Sequence, residues 1–66
     1  MKIQINGDLR EVSEGGTVEE VLSRLGIPLQ ATLVEHNGIA LHRKEWSERV
    51  VNEDDVLEVI RIVAGG

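Results

Sequence analysis

The chain ends in Gly65 and Gly66, and the α-carboxylate of Gly66 is the group in this sequence best suited to carrier chemistry. A backbone without side chains can thread a narrow enzyme channel, and Ala64, Gly65 and Gly66 extend over about 10 Å at roughly 3.3 Å per residue. Glycine gains nothing from packing and loses the most backbone entropy when fixed, so residues 64–66 are expected to form a flexible tail on a domain spanning 1–63. A terminal carboxyl with an ordinary pKa of about 3.3–3.7 is an anion at neutral pH and a poor electrophile, so it must be activated before anything is attached to it. The same two glycines also describe an inert chain end, and the rest of the sequence has to decide between these readings.

Other chemistry is thinly represented. The chain has no cysteine, which removes disulfides, thiol nucleophiles and any persulfide carried on this chain. His36 and His42 flank a turn beside Glu35 and invite a metal reading. In a two-residue hairpin, however, His36 pairs with Ile39 and His42 with Leu33, so the two rings point to opposite faces. Both histidines are therefore expected on the surface, with no metal site. No nucleophile and base fall within reach of each other in the pattern.

Sixty-six residues allow one small domain, which buries only about 60% of its unfolded surface. Its core must come from nine Val, six Ile and seven Leu, with Trp46 as the one aromatic; branched aliphatics of this kind suit a sheet packed on a helix. The net charge of −5 argues against nucleic acid and anionic membrane as partners and for a docking surface of opposite sign. Neither a membrane span nor a signal-peptide core is present in the sequence, so the expected address is the cytoplasm.

The elements that must position the terminus follow from patterning. Lys2–Asn6 alternates, with Ile3 and Ile5 on one face, and Asn6-Gly7 is a favoured type I′ turn pair leading into a second strand from Leu9 to Ser13. Leu9 and Val12 are out of phase there, so one of them must sit at a strand end or bulge. Glu14, Gly15 and Gly16 read as a flexible connector. Thr17 and Glu20 form a capping box, and Val18, Val21, Leu22 and Leu25 make one apolar helical stripe that Gly26 and Pro28 terminate. Thr32–His36 reads as a third strand, turned by Asn37-Gly38 back through Ile39, Ala40 and Leu41. Arg43–Trp46 reads as a short helical turn with Trp46 covering one edge of the core, Ser47–Val51 as a short strand, and Asn52–Asp55 as a turn into the last strand, Val56–Val63.

This order predicts an α+β fold of the β-grasp (ubiquitin-like) type, a mixed sheet of four to five strands wrapped on one helix, with the last strand beside the first. Along that strand Leu57, Val59, Arg61 and Val63 share one face; Val56, Glu58, Ile60, Ile62 and Ala64 share the other. One helix covers one side of the sheet, so Ile60 and Ile62, with Glu58 on the same face, are expected to be exposed as a docking site.

With Asn37-Gly38 and its short strand, Arg43 three residues before Trp46, the acidic turn Glu53-Asp54-Asp55 and the ending Val63-Ala64-Gly65-Gly66, the chain resembles the ubiquitin-like sulfur carriers, and among them most closely the ThiS family of thiamin biosynthesis. His42 stands where that family commonly has Pro, and Glu53 where it commonly has Gly. The resemblance implies that the protein binds no cofactor and is a recycled cosubstrate, not itself an enzyme, which fits the lack of a paired nucleophile and base. A ThiF-like adenylyltransferase, similar to ubiquitin-activating enzymes, would use ATP and magnesium to adenylate Gly66, and a sulfur donor would convert the adenylate to a thiocarboxylate. A ThiG-like thiazole synthase would take the sulfur. Gly66 would then carry the sulfur, Gly65 and Ala64 would thread the tail, and Glu58, Ile60 and Ile62 would dock. A carrier for another pathway, such as a small subunit of molybdopterin synthase, a protein modifier, and an inert β-grasp interaction domain remain the alternatives.

Overall fold

Asn6 and Gly7 take left-handed backbone angles, φ 51° and 85°, as do Asn37 and Gly38, φ 50° and 83°. A type I′ turn requires positive φ at both central residues, and these pairs supply it. The computed structural model describes residues 1–13 and 15–63; the readings of Glu14 as connector and of Ala64, Gly65 and Gly66 as tail fall on residues outside these. The first turn joins β1 (Lys2–Ile5) to β2 (Asp8–Glu11) and the second joins β4 (Thr32–His36) to β5 (Ile39–Ala40). Between them lie β3 (Gly16–Thr17) and α1 (Val18–Arg24); after them come a 3₁₀ turn (Arg43–Glu45), β6 (Val50–Val51) and β7 (Val56–Arg61).

The main sheet has the order β2-β1-β7-β4-β5. β7 lies in its centre, parallel to β1 and antiparallel to β4, so the sheet is mixed and the β-grasp expectation is met. α1 opens on a full capping box between Thr17 and Glu20. The Thr17 main-chain and side-chain donors, together with Arg24, outweigh desolvation and hold the Glu20 carboxyl below its ordinary pKa. Val18, Val21 and Leu22 from the helix stripe bury completely against Ile3, Ile5, Val34 and Leu57 from one face of the sheet. Trp46 sits within this core and not at its edge, with the Arg43 guanidinium 4.4 Å from its ring centroid and Arg43 Nη1 3.0 Å from Glu19 Oε2 on the helix. Among the described residues no helix is long and apolar enough to cross a membrane.

Several expectations are refined. The first hairpin has no bulge: Leu9 faces outward opposite Gln4, and Val12, just past the strand end, is buried and exchanges main-chain hydrogen bonds with Met1. Gly16 is not connector but strand, pairing with Val51 as Thr17 pairs with Val50; the short strand read over Ser47–Val51 is reduced to Val50–Val51. β7 ends at Arg61 and not at Val63, because the strand beside it begins only at Thr32.

The largest correction is His36, which is 4% exposed and belongs to the interior. Arg49 Nε donates to its Nδ1 at 3.0 Å, which leaves the ring proton on Nε2 to be donated to Asp55 Oδ2 at 2.7 Å. Asp55 also accepts from the Asn52 N–H at 2.7 Å and from Asn37 Nδ2 at 3.1 Å. A buried polar ring is tolerable when each nitrogen is satisfied, and here the network ties the β4–β5 turn to the turn before β7. His42 is exposed; its N–H donates to Glu45 Oε1 at 2.8 Å, at the start of the 3₁₀ turn.

Burial acts to raise the Asp55 pKa, but the donors from Asn52, His36 and Asn37 outweigh it and hold the carboxyl below its ordinary pKa. A depressed carboxyl contributes stability above its unfolded pKa and loses it as pH falls through the folded value. Urea unfolding followed from about pH 6 to about pH 2 should therefore show an acid-induced loss that Asp55→Asn makes shallower, with that variant about 1–2 kcal/mol less stable at neutral pH. Parallel pH profiles for the two proteins would contradict this role of Asp55.

Candidate functional site

Alternation along β7 determines what the outer side of the sheet presents. Leu57 and Val59 pair across to His36 and Val34 and turn toward the helix, whereas Glu58 pairs with Glu35 and Ile60 with Leu33 on the uncovered side. Ile60 and Leu33 are each 53% exposed and Ile62 is 50% exposed. The expected exposure of Ile60, Ile62 and Glu58 is thus met, and the structure brings Leu33 and Glu35 to them. Neither added residue is adjacent in sequence to β7; the signal that could have found them is the 32–36 alternation combined with the β4–β7 register.

Two features of this face do not serve folding. Ile60 and Leu33 leave apolar surface in water where a cross-strand contact recovers only part of it. Glu35 and Glu58 stand directly opposite each other, and like charges so placed are destabilising; among the described residues neither carboxylate has a cationic partner. A surface that combines an apolar pair with an uncompensated acidic pair is complementary to a partner bringing aliphatic or aromatic side chains beside an Arg or Lys.

The strand that carries this face is held firmly as far as Val59. β1 ends at Ile5, yet the side chain of Asn6 continues the pairing: Val59 N–H donates to Asn6 Oδ1 at 2.7 Å and Asn6 Nδ2 donates to the Val59 carbonyl at 3.1 Å. Beyond that point the chain is held from the β4 side, by the pairs Leu33–Ile60 and Thr32–Arg61 and then by the Ile62 N–H donating to the Ala31 carbonyl at 2.7 Å. Val63 is 83% exposed. The residues expected to carry or thread the sulfur, Gly66, Gly65 and Ala64, lie outside the described residues. His36 is buried on the other side of β4, and among the described residues no cluster of His, Asp or Glu is arranged to hold a metal ion.

Comparison with known proteins bears on the same span. The ThiS family model matches residues 3–66. A thiazole synthase of Paramagnetospirillum magneticum is 35% identical over 66 residues, covering all of this chain and 20% of that protein, so the chain spans about a fifth of the length of that relative. A sulfur carrier protein ThiS of Thermus thermophilus is 34% identical over 64 residues, 97% of this chain and 98% of that one. The crystal structure of the thiamine biosynthesis protein ThiS of Geobacter metallireducens superposes with a TM-score of 0.86 at 30% identity, each chain covered in full. The match is carried by the whole chain, from the first strand through the Gly65-Gly66 ending, and with it this β-grasp protein belongs to the ThiS family.

Proposed function

We propose that this protein is a sulfur carrier for thiamin biosynthesis whose cargo rides on the Gly66 carbonyl. The observation that carries the reading is a family match that runs through Gly65 and Gly66 on a chain without a cysteine. With no thiol available, the C-terminal carboxyl is the position at which sulfur can be held and released. The Gly66 carboxylate attacks the α-phosphorus of ATP, with magnesium bound by the activating enzyme, to give an acyl adenylate and pyrophosphate. A nucleophilic sulfur from the donor then adds to the carbonyl carbon and AMP leaves. Where the donor is hydrosulfide this addition gives the thiocarboxylate directly; where it is a persulfide, a thiol attacks the resulting acyl disulfide, releasing the thiocarboxylate and leaving a disulfide. Thiazole synthase then takes the sulfur, and an oxygen from water or from the acceptor replaces it to regenerate the carboxylate. The carrier acts as a recycled cosubstrate, and neither ATP nor magnesium is its own cofactor.

Docking and chemistry are assigned to different parts of the chain. Ile60, Ile62 and Glu58, joined by Leu33 and Glu35, seat the globule on the adenylyltransferase and then on thiazole synthase, while Ala64 and Gly65 pass through the enzyme channel. The P. magneticum thiazole synthase that contains a similar stretch supports this second pairing, because a carrier on the same chain as its acceptor meets it at high effective concentration. An adenylating enzyme and its ATP supply fit a cytoplasmic setting.

Incubation with ATP, magnesium, a cognate adenylating enzyme and a sulfur source should change the intact mass by the replacement of one oxygen with sulfur, and fragmentation should place the change at residue 66. Omission of ATP should abolish it, since sulfide does not displace an ionised carboxylate. A mass change at an internal residue, or one that persists with Gly66 amidated, would sink the sulfur-carrier reading. Ile60→Glu should weaken binding to the adenylating enzyme by about 1–3 kcal/mol with little effect on stability, whereas Leu57→Ala, in the core, should destabilise by about 2–5 kcal/mol. Equal destabilisation by the two changes would show that Ile60 supports the fold and not the partner.

A further inference from the structure

The final main-chain anchor of the described chain is a single hydrogen bond, and its acceptor is unusual. Ile62 N–H donates at 2.7 Å to the carbonyl of Ala31, and Ala31 has φ 52°. A non-glycine residue in the left-handed region is conformationally strained and persists where its surroundings over-determine it. Here they do. The Thr32 hydroxyl is placed to donate to the Pro28 carbonyl at 2.8 Å and to the Gln30 carbonyl at 3.1 Å, bracing the loop on either side of the strained residue. The bond continues the β4–β7 register by one step past the last strand pair, Thr32–Arg61. On the β1 side the support has already ended, at the Asn6 side chain and Val59. One carbonyl, held by a braced loop, thus holds the backbone past the last strand pair, at Ile62.

The geometry points to Ala31 as a positioning residue for carrier chemistry. Its left-handed carbonyl fixes the main chain at Ile62, and so sets the point from which the residues that follow are presented once the outer face has docked. This rests on the carrier reading above. Positioning acts on the rate of the bound complex: a small displacement of a reacting group costs catalysis without changing the surface that holds the complex together.

The test measures the two separately, with an adenylating enzyme that charges the wild-type chain. Ala31→Val, whose branched Cβ is poorly tolerated at positive φ, should speed hydrogen exchange at the Ile62 amide and lower the kcat of ATP-dependent thiocarboxylate formation by about tenfold. The dissociation constant of the enzyme complex, measured without ATP, should rise by no more than about twofold, because Leu33, Glu35, Glu58 and Ile60 are untouched and of the docking residues only Ile62 loses its main-chain anchor. Ala31→Gly keeps the left-handed conformation and should restore most of kcat. Thr32→Val removes only the hydroxyl brace and should shift exchange and kcat in the same direction as Ala31→Val, which keeps the question decidable if Ala31→Val fails to fold. Faster exchange at Ile62 with unchanged kcat, or an equal loss in kcat and in affinity, would overturn the positioning role while leaving the carrier reading intact. Absence of any ATP-dependent mass change in the wild type would instead overturn the carrier reading, and this role with it.

Discussion

One helix of seven residues packs against a five-stranded sheet, and that imbalance shapes the rest of the molecule. The helix can bury only one side, so the aliphatics of β1, β4 and β7 that face it complete the core, and those that face away remain in water. β7 feels this most, because it is central, with β1 on one side and β4 on the other. Its inner residue Leu57 is wholly buried and its outer residue Ile60 is half exposed, three positions apart. The same strand therefore anchors the fold and presents an exposed apolar surface, and a strand paired on both edges is stiff enough to do both.

Support along this strand tapers toward its end. Through Leu57 it has a strand on both sides, at Val59 the Asn6 side chain replaces one of them, and at Ile62 a lone carbonyl remains. The Asn6 amide is well chosen for the middle step. It offers a donor and an acceptor in one plane, as a peptide does, so a turn residue that is already required for its positive φ also supplies a substitute rung. Asn37 has a parallel second duty beside the other turn, where its Oδ1 accepts from Val56 N–H at 2.8 Å and its Nδ2 donates to Asp55.

What was legible in the sequence was local. Both Asn-Gly turns, the Thr17–Glu20 box, the helix stripe and the alternation of β7 depend on residues within a few positions of one another, and each took the expected form. What was missed depends on partners far along the chain. His36 was read as a surface residue once the hairpin set its ring on the face opposite that of His42, yet it shares a strand face with Val34, and its acceptor and donor lie 19 and 13 residues away at Asp55 and Arg49. Leu33 and Glu35 join the docking face only through their register with Ile60 and Glu58. Gly16 and Thr17 form two residues of strand that no periodicity could reveal, because a pattern of period two needs more than two positions.

The acidic rung Glu35–Glu58 is where folding and binding pull apart most clearly. A domain of this size has a small margin of stability, and replacing either carboxylate with a neutral β-former would relieve repulsion at no cost in packing. Solubility alone does not require the arrangement, since the chain already carries a net charge of −5 and acidic side chains could sit anywhere on its surface. Two carboxylates on facing strands, next to an apolar pair, instead present a fixed spacing that a guanidinium can bridge when the neighbouring aliphatics exclude water. If this face docks as proposed, repulsion in the free protein becomes selectivity in the complex: a partner without a cation at that point would have to desolvate both charges unpaired.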